Sequence, residues 1–228
     1  PTIEIIENGI ELIIDVYKAV CTDYGHITYT RDGKVLFDIP AFAEFLASIG
    51  TYEKELLENK ISKKESYFPD KILFDSGKQN PDGTWSVNID GYINTFISAK
   101  FPGENMKTVS HEFIEGMQWV LSYYTSGVPN WKWFYKYHHA PPSSILAKHC
   151  SDYKRVKYGK TTPSLPFQQL LRVLPPSSAH LLPEPLSGLL SDEDSPLAKY
   201  CPKTIEVDLA GKRQEWEGTV IICNMNEK

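Results

Sequence analysis

Apolar positions recur at helical spacing most densely between Ser110 and Tyr124. Phe113, Ile114, Met117, Val120, Leu121 and Tyr124 share one broad face of a 3.6-residue repeat, and Trp119 and Tyr123 share another. Only Glu115, Gln118 and Ser122 form a polar strip. A helix apolar on two sides is expected inside a protein, with neighbours on both. Ser110 is its expected N-cap, Val109 and Ile114 stand at hydrophobic-staple spacing, and Glu112 sits where the helix dipole favours an anion. Gly127 and Pro129 end it. The following run, Trp131-Lys132-Trp133-Phe134-Tyr135-Lys136-Tyr137-His138-His139, is too aromatic for an ordinary surface loop.

Upstream, Asn8 caps an amphipathic pattern through Ile10, Ile13, Ile14, Tyr17, Val20 and Cys21. Ile27 and Tyr29 alternate with polar residues, Asp32-Gly33 is a type I′ turn signal, and Val35 and Phe37 resume the alternation, which predicts a β-hairpin. Asp38 and Pro40 open a second helix striped by Phe42, Phe45, Leu46 and Ile49, and Gly50 ends or kinks it before 52–59. From Ile61 to Asp90 the periodicity fades, and the stretch reads as an excursion loop, with Phe74 and Trp85 as its candidate points of order. A third helix is expected over 91–100. Beyond the aromatic run, 152–160 is a basic connector, Phe167, Leu170, Leu171 and Leu174 mark a short helix stopped by Pro175-Pro176, and 177–196 is proline-punctuated and irregular. Ile205, Val207 and Leu209, a turn at Ala210-Gly211-Lys212, and a return from Trp216 to Ile222 predict a second hairpin. The class expected is α+β, mainly helical, in a single unit 1–228: a helix–hairpin–helix lead-in over 1–60, the excursion 61–90, and a helical and aromatic core over 91–228 closed by the terminal hairpin.

Composition narrows this little. The chain has 228 residues and a net charge of −5, which weighs against independent tight binding of RNA or DNA. No run of about 18 apolar residues is present. The start, PTIEIIENG, carries neither an initiator Met nor a signal peptide and is expected to be a cut from a longer chain. Cys21, Cys150, Cys201 and Cys223 are scattered without a CxxC, which suits a reducing compartment.

Candidate chemistry is sparse. His138-His139 and His149-Cys150 lack the helical spacing that aims two ligands at one ion, and Asp192-Glu193-Asp194 is consecutive rather than converging. No GxSxG and no glycine-rich phosphate loop occur. Lys212-Arg213 is a charged turn or a phosphate contact. Exposed Trp and Tyr rings can stack on nucleobases. Trp131 and Trp133 read first as core or interface rings, whereas Trp216, between Gln214-Glu215 and Glu217-Gly218, is either a core ring or one that faces a groove.

FIEGMQWVLSYYTSGVPNWKWFYKYHHAP resembles the signature of the Xrn-type 5′→3′ exoribonucleases, a tryptophan-bearing YY helix followed by an aromatic HYAP-type run. PFQQLLRVLPPSSAHLLPEPL and DEDSPLAKYCPKTIEVDLAGKRQEWEG resemble later family stretches in the same order, and ENGIELI, the Asp32-Gly33 hairpin and PAFAEFL resemble the segment before them. The likeness is weakest over 61–90. Lys136, His139 and Pro142 replace the family's usual proline, tyrosine and phenylalanine, and the end, 223–228, departs as well. The resemblance implies part of an enzyme that degrades 5′-monophosphorylated single-stranded RNA in cytoplasmic mRNA decay. It implies Mg²⁺ held by carboxylates of an amino-terminal nuclease region absent from this chain, since a two-metal site needs converging acids that hold both ions about 3.5–4 Å apart. This segment then has no catalytic residue and no metal ligand, and alone is expected to be inactive. It encloses the active site, packs its aromatic run on the amino-terminal region, and contacts RNA through Trp216, with Arg213, Lys212 and Trp133 as further candidates. The partners implied are single-stranded RNA and that region, and no membrane. The alternative is a non-catalytic scaffold or protein-interaction domain derived from the family.

Overall fold

Asp32 and Gly33 both take positive φ, 52° and 73°, the backbone a two-residue type I′ turn requires. They close a hairpin of β1 (Thr28–Arg31) and β2 (Lys34–Phe37), with Tyr29 opposite Leu36. The computed structural model describes residues 8–63, 67–202 and 204–222. The expectations placed on the opening residues 1–7, on Cys223 and on the end after Ile222 lie outside the described residues, as do 64–66 of the excursion and Lys203 of the later family stretch.

The hairpin follows α1 (Gly9–Tyr24) and leads into α2 (Ile39–Thr51), where Asp38 accepts a bond from Ala41 N at 3.2 Å. Next come α3 (Glu53–Lys63), α4 (Lys71–Ser76), the hairpin β3 (Gly77–Gln79) with β4 (Trp85–Val87), and α5 (Ile89–Lys100). Then α6 (Met106–Ser126), the aromatic run, α7 (Ser143–Cys150), an extended strap, α8 (Pro166–Val173), α9 (Leu186–Ser191), and a last hairpin of β5 (Glu206–Asp208) and β6 (Thr219–Ile221). Among the described residues the sheets are three antiparallel pairs and helices dominate, which is the α+β, mainly helical class. No helix among them is long and apolar enough to cross a membrane.

Three apolar clusters organise the elements. The largest joins Val16 and Val20 of α1, Phe42, Phe45, Leu46 and Ile49 of α2, and Ile114, Leu146 and Cys150. The break falls where expected, α2 ending one residue past Gly50 and α3 starting at Glu53. Gly50 also has a packing role, since a Cβ there would meet the backbone N and Cα of Ser144 at 3.0 Å, so the glycine lets α7 lie against α2. Glu53, buried at the start of α3, accepts from Ser143 N at 2.6 Å and caps α7 from outside its own chain segment.

The stretch 61–90 is not an excursion loop. Asp70 caps α4 by accepting from Leu73 N at 3.0 Å, and Gly83 turns β3 into β4 with φ 85°. Leu57, Ile61, Leu73, Val87 and Tyr92 form the second cluster. Each element is too short for a periodicity to show, and the apolar residues that meet are far apart in sequence. The region 177–196, read as irregular, holds α9 and a 3₁₀ turn around the third cluster, Ala179, Leu182 and Leu190.

The central helix also differs from its reading. It starts a turn early, at Asn105, whose side chain accepts from Lys107 N and Thr108 N, and Ser110 is buried within it. Its burial follows the apolar face only in part, with Ile114 in the main core. Glu115 and Gln118 of the polar strip are enclosed, while Tyr124 of the apolar face is 80% exposed.

Candidate nucleic-acid interface

Residues 209–218 cross between β5 and β6. Gly211 takes φ 73° and Lys212 N donates to Leu209 O, forming the expected turn. Arg213 N donates to Glu217 Oε2 at 2.9 Å, which draws Glu215–Glu217 into a 3₁₀ turn. Trp216 sits at its centre with 81% of its surface exposed, so it is not a core ring. The return strand starts at Thr219 rather than at Trp216, because the 3₁₀ turn intervenes.

The loop is fastened on several sides. Phe68 N donates to Lys212 O and Gly211 N donates to Phe68 O, at 3.1 and 2.9 Å. Asp208, at the end of β5, accepts from Lys100 Nζ of α5 and from Ala210 N, and lies 3.3 Å from His139 Nε2. His138 Nε2 stands 2.9 Å from Ile222 O, so the aromatic run holds both strands of the hairpin. Burial pushes the Asp208 carboxyl up, but its bonds to Lys100 and Ala210 and the nearby positive charge outweigh that and hold it below the usual carboxylate range. His139 is held down at about 4, by burial first and by the Lys100 charge second.

Trp133 belongs to another surface. Its ring covers Gly116 of α6, where a Cβ would come within 2.7 Å of it. It stacks on Trp119 with centroids 6.1 Å apart, and Trp119 stacks on Tyr123 at 5.6 Å. Asn130 organises the bend: its side-chain oxygen accepts from Lys132 N and Trp133 N, and its carbonyl accepts from Trp119 Nε1. Trp133 then borders an open apolar groove of about 570 Å³ with Phe37, Phe113, Met117, Val120, Leu121, Tyr124 and Tyr135. On the opposite side of α6, Glu115 accepts from the Tyr153 and Tyr158 hydroxyls, and Gln118 bonds Phe37 N and Val35 O across to the first hairpin. The structure thus places Trp216, Lys212 and Arg213 in one braced loop and Trp133 in the wall of the groove.

Little else is equipped for chemistry. Among the described residues no three His, Cys, Asp or Glu side chains are grouped as a metal ion would need. Cys150 is buried and its thiol is pushed up to about 11 by that burial, so it is not an activated nucleophile. Asp192 folds back on its own acidic run, accepting from Asp194 N at 3.0 Å. The braces themselves, Asp208 with Lys100 and His139, escape sequence reading because their partners come from three separate segments.

Residues 90–228 match the family model of the Xrn1 helical domain. The 5′-3′ exoribonuclease 2 of Yarrowia lipolytica is 37% identical over 136 residues, covering 59% of this chain and 13% of that protein. The 5′-3′ exoribonuclease 1 of Saccharomyces cerevisiae is 38% identical over 125 residues, 55% of this chain and 8% of its own length. Human 5′-3′ exoribonuclease 1 is 41% identical over 116 residues, 51% and 7% respectively. The chain therefore spans only a small part of each of these relatives.

Proposed function

The chain belongs to the Xrn1 helical domain family, and we propose that it forms the carboxy-terminal half of a 5′→3′ exoribonuclease core that degrades 5′-monophosphorylated single-stranded RNA. In this reading Trp216 stacks on bases of the strand entering the active site, and Lys212 and Arg213 of the same loop meet its phosphates. Stacking accepts any base, at about 1–3 kcal/mol per contact, which suits an enzyme that must pass every sequence. Trp133 and the α6 groove pack against the amino-terminal nuclease region, and the two parts together enclose the substrate. Magnesium does not fit the described residues, which offer no converging donor set, so no step is assigned to it within this chain.

The observation that carries the reading is the Trp216 ring, 81% exposed on a loop pinned from three directions. A large ring carried on a braced backbone is presented to a flat partner at less cost in loop ordering. Two assays test it. The chain alone, given Mg²⁺ and 5′-phosphorylated RNA, is expected to hydrolyse nothing, and robust digestion overturns the division of labour. In the longer protein Trp216→Ala is expected to shorten the run of nucleotides removed per encounter while melting stays unchanged; an unaltered run moves the stacking role elsewhere.

The open groove favours one other reading, a non-catalytic scaffold that seats a protein on α6. The coding sequence upstream of Pro1 separates the two, since only the enzyme requires an acidic nuclease motif set there. The EWEG and EDSP stretches support a role in cytoplasmic mRNA decay, which imaging of the tagged protein checks.

A further inference from the structure

The charges of this acidic chain are segregated. Between Val128 and Pro183 lie eight Lys and Arg against one acidic residue, Asp152, a local net of +7. The other 172 residues hold 16 Lys and Arg against 28 Asp and Glu, a net of −12. The one acid of the basic stretch is itself matched, by Lys107 at 2.7 Å.

Much of the excess rides on the extended strap between α7 and α8. Its inward side chains are anchored. The Tyr153 and Tyr158 hydroxyls donate to the buried Glu115 of α6. Arg155 donates to the Tyr29 hydroxyl at 3.0 Å and to the Phe37 carbonyl, with its guanidinium over the Tyr29 ring. Pinned at 153, 155 and 158, the strap turns Lys154, Lys157 and Lys160 to solvent, where all three are exposed. Among the described residues none of these three lysines has an ion-pair partner. At the far end, Trp131 N donates to Thr161 Oγ1 at 2.9 Å, which sets Trp131, 52% exposed, beside the row.

Three residues of extended backbone separate successive lysines by about 10 Å. A fixed row of ammonium groups next to an exposed indole offers point charges for phosphates and a ring for a base. We propose that the strap is a second RNA-contacting surface, which follows the phosphodiester backbone of single-stranded RNA without reading its sequence. The choice of RNA over an acidic protein rests on the exoribonuclease reading and on Trp131. The anchoring by Glu115 explains why the row is useful: lysines on a preformed track lose less freedom on binding than lysines on a loose loop.

The test is the salt dependence of binding between the chain and a fluorescent 5′-hydroxyl oligouridine in EDTA. The combined variant Lys154→Gln, Lys157→Gln, Lys160→Gln changes exposed side chains only, and its melting is expected to match the parent's. Each phosphate contact on a single strand contributes about 0.7 to the slope of log affinity on log salt, so the variant's slope is expected to be shallower by about 2. Going from about 50 to about 200 mM salt then costs the parent about 20-fold more affinity than the variant. A control with Lys18, Lys54 and Lys78 changed to Gln keeps the parent slope. Trp216→Ala lowers affinity at every salt concentration with the slope unchanged, so a failure of the base-stacking reading shows separately. Equal slopes for parent and strap variant overturn the proposal, and so does absence of binding at low salt. Labelled polyglutamate that binds the parent, while RNA does not, also overturns it and makes the strap a seat for an acidic protein.

Discussion

Glu115 is 4% exposed and accepts hydrogen bonds from two tyrosine hydroxyls. Glu115→Ala would strand both hydroxyls, and a loss of about 2–4 kcal/mol in urea unfolding is expected, with Glu115→Gln costing less than half of that because the amide oxygen still accepts. His139 gives a pH signature. Its folded-state value, about 4, lies below the ordinary histidine value of 6.5, so the unfolded chain takes the proton first as pH falls. The contribution of the neutral ring is complete above about pH 6.5 and drains away towards about pH 4. His139→Phe keeps a neutral ring at every pH, and denaturant midpoints compared with the parent should show the difference narrowing across that window. Neither residue's role was legible in the chain. Glu115 stood in a polar strip that reads as solvent-facing, and only the tyrosines of a distant connector make it a buried residue.

One hairpin and one cap were readable, Asp32-Gly33 and Asp38 acting as their types require, whereas Asn8 makes no side-chain cap and Asn105 caps α6 in place of Ser110. Elements defined by distant partners were not. Gly50 carries a helix-breaking residue's usual meaning, but its further role is the close approach of α7. Gly50→Ala improves helix propensity by about 1 kcal/mol but drives a methyl into backbone, and a net loss of about 1–3 kcal/mol is expected from chemical unfolding. The 61–90 stretch was unreadable for a different reason, since three- and six-residue elements give no repeat. Trp216 was identifiable as odd by its polar neighbours, but the 3₁₀ turn that lifts it depends on Glu217 bonding Arg213 N.

For the molecule as a whole, the apolar face of α6 was legible as apolar and its exposure was not. Periodicity reports which residues share a face, not what covers it. Val120 lines the open groove and is 47% exposed. Val120→Asp is expected to leave the chain's own stability within about 0.5 kcal/mol. On the proposed reading, the same change in a longer protein is expected to weaken association with an amino-terminal nuclease region, read by limited proteolysis and by RNA digestion. Intact association with Val120→Asp assigns the groove to some other neighbour.

The two backbone bonds between Phe68 and the Gly211-Lys212 turn have a consequence for descent. They tether the connection between α3 and α4 to the loop that presents Trp216. Lengthening or shortening the chain between α3 and α4 therefore moves that ring without disturbing the main core. A lineage can retune how the Trp216 ring is presented by editing the α3–α4 connection, and the helices beneath need not register the change.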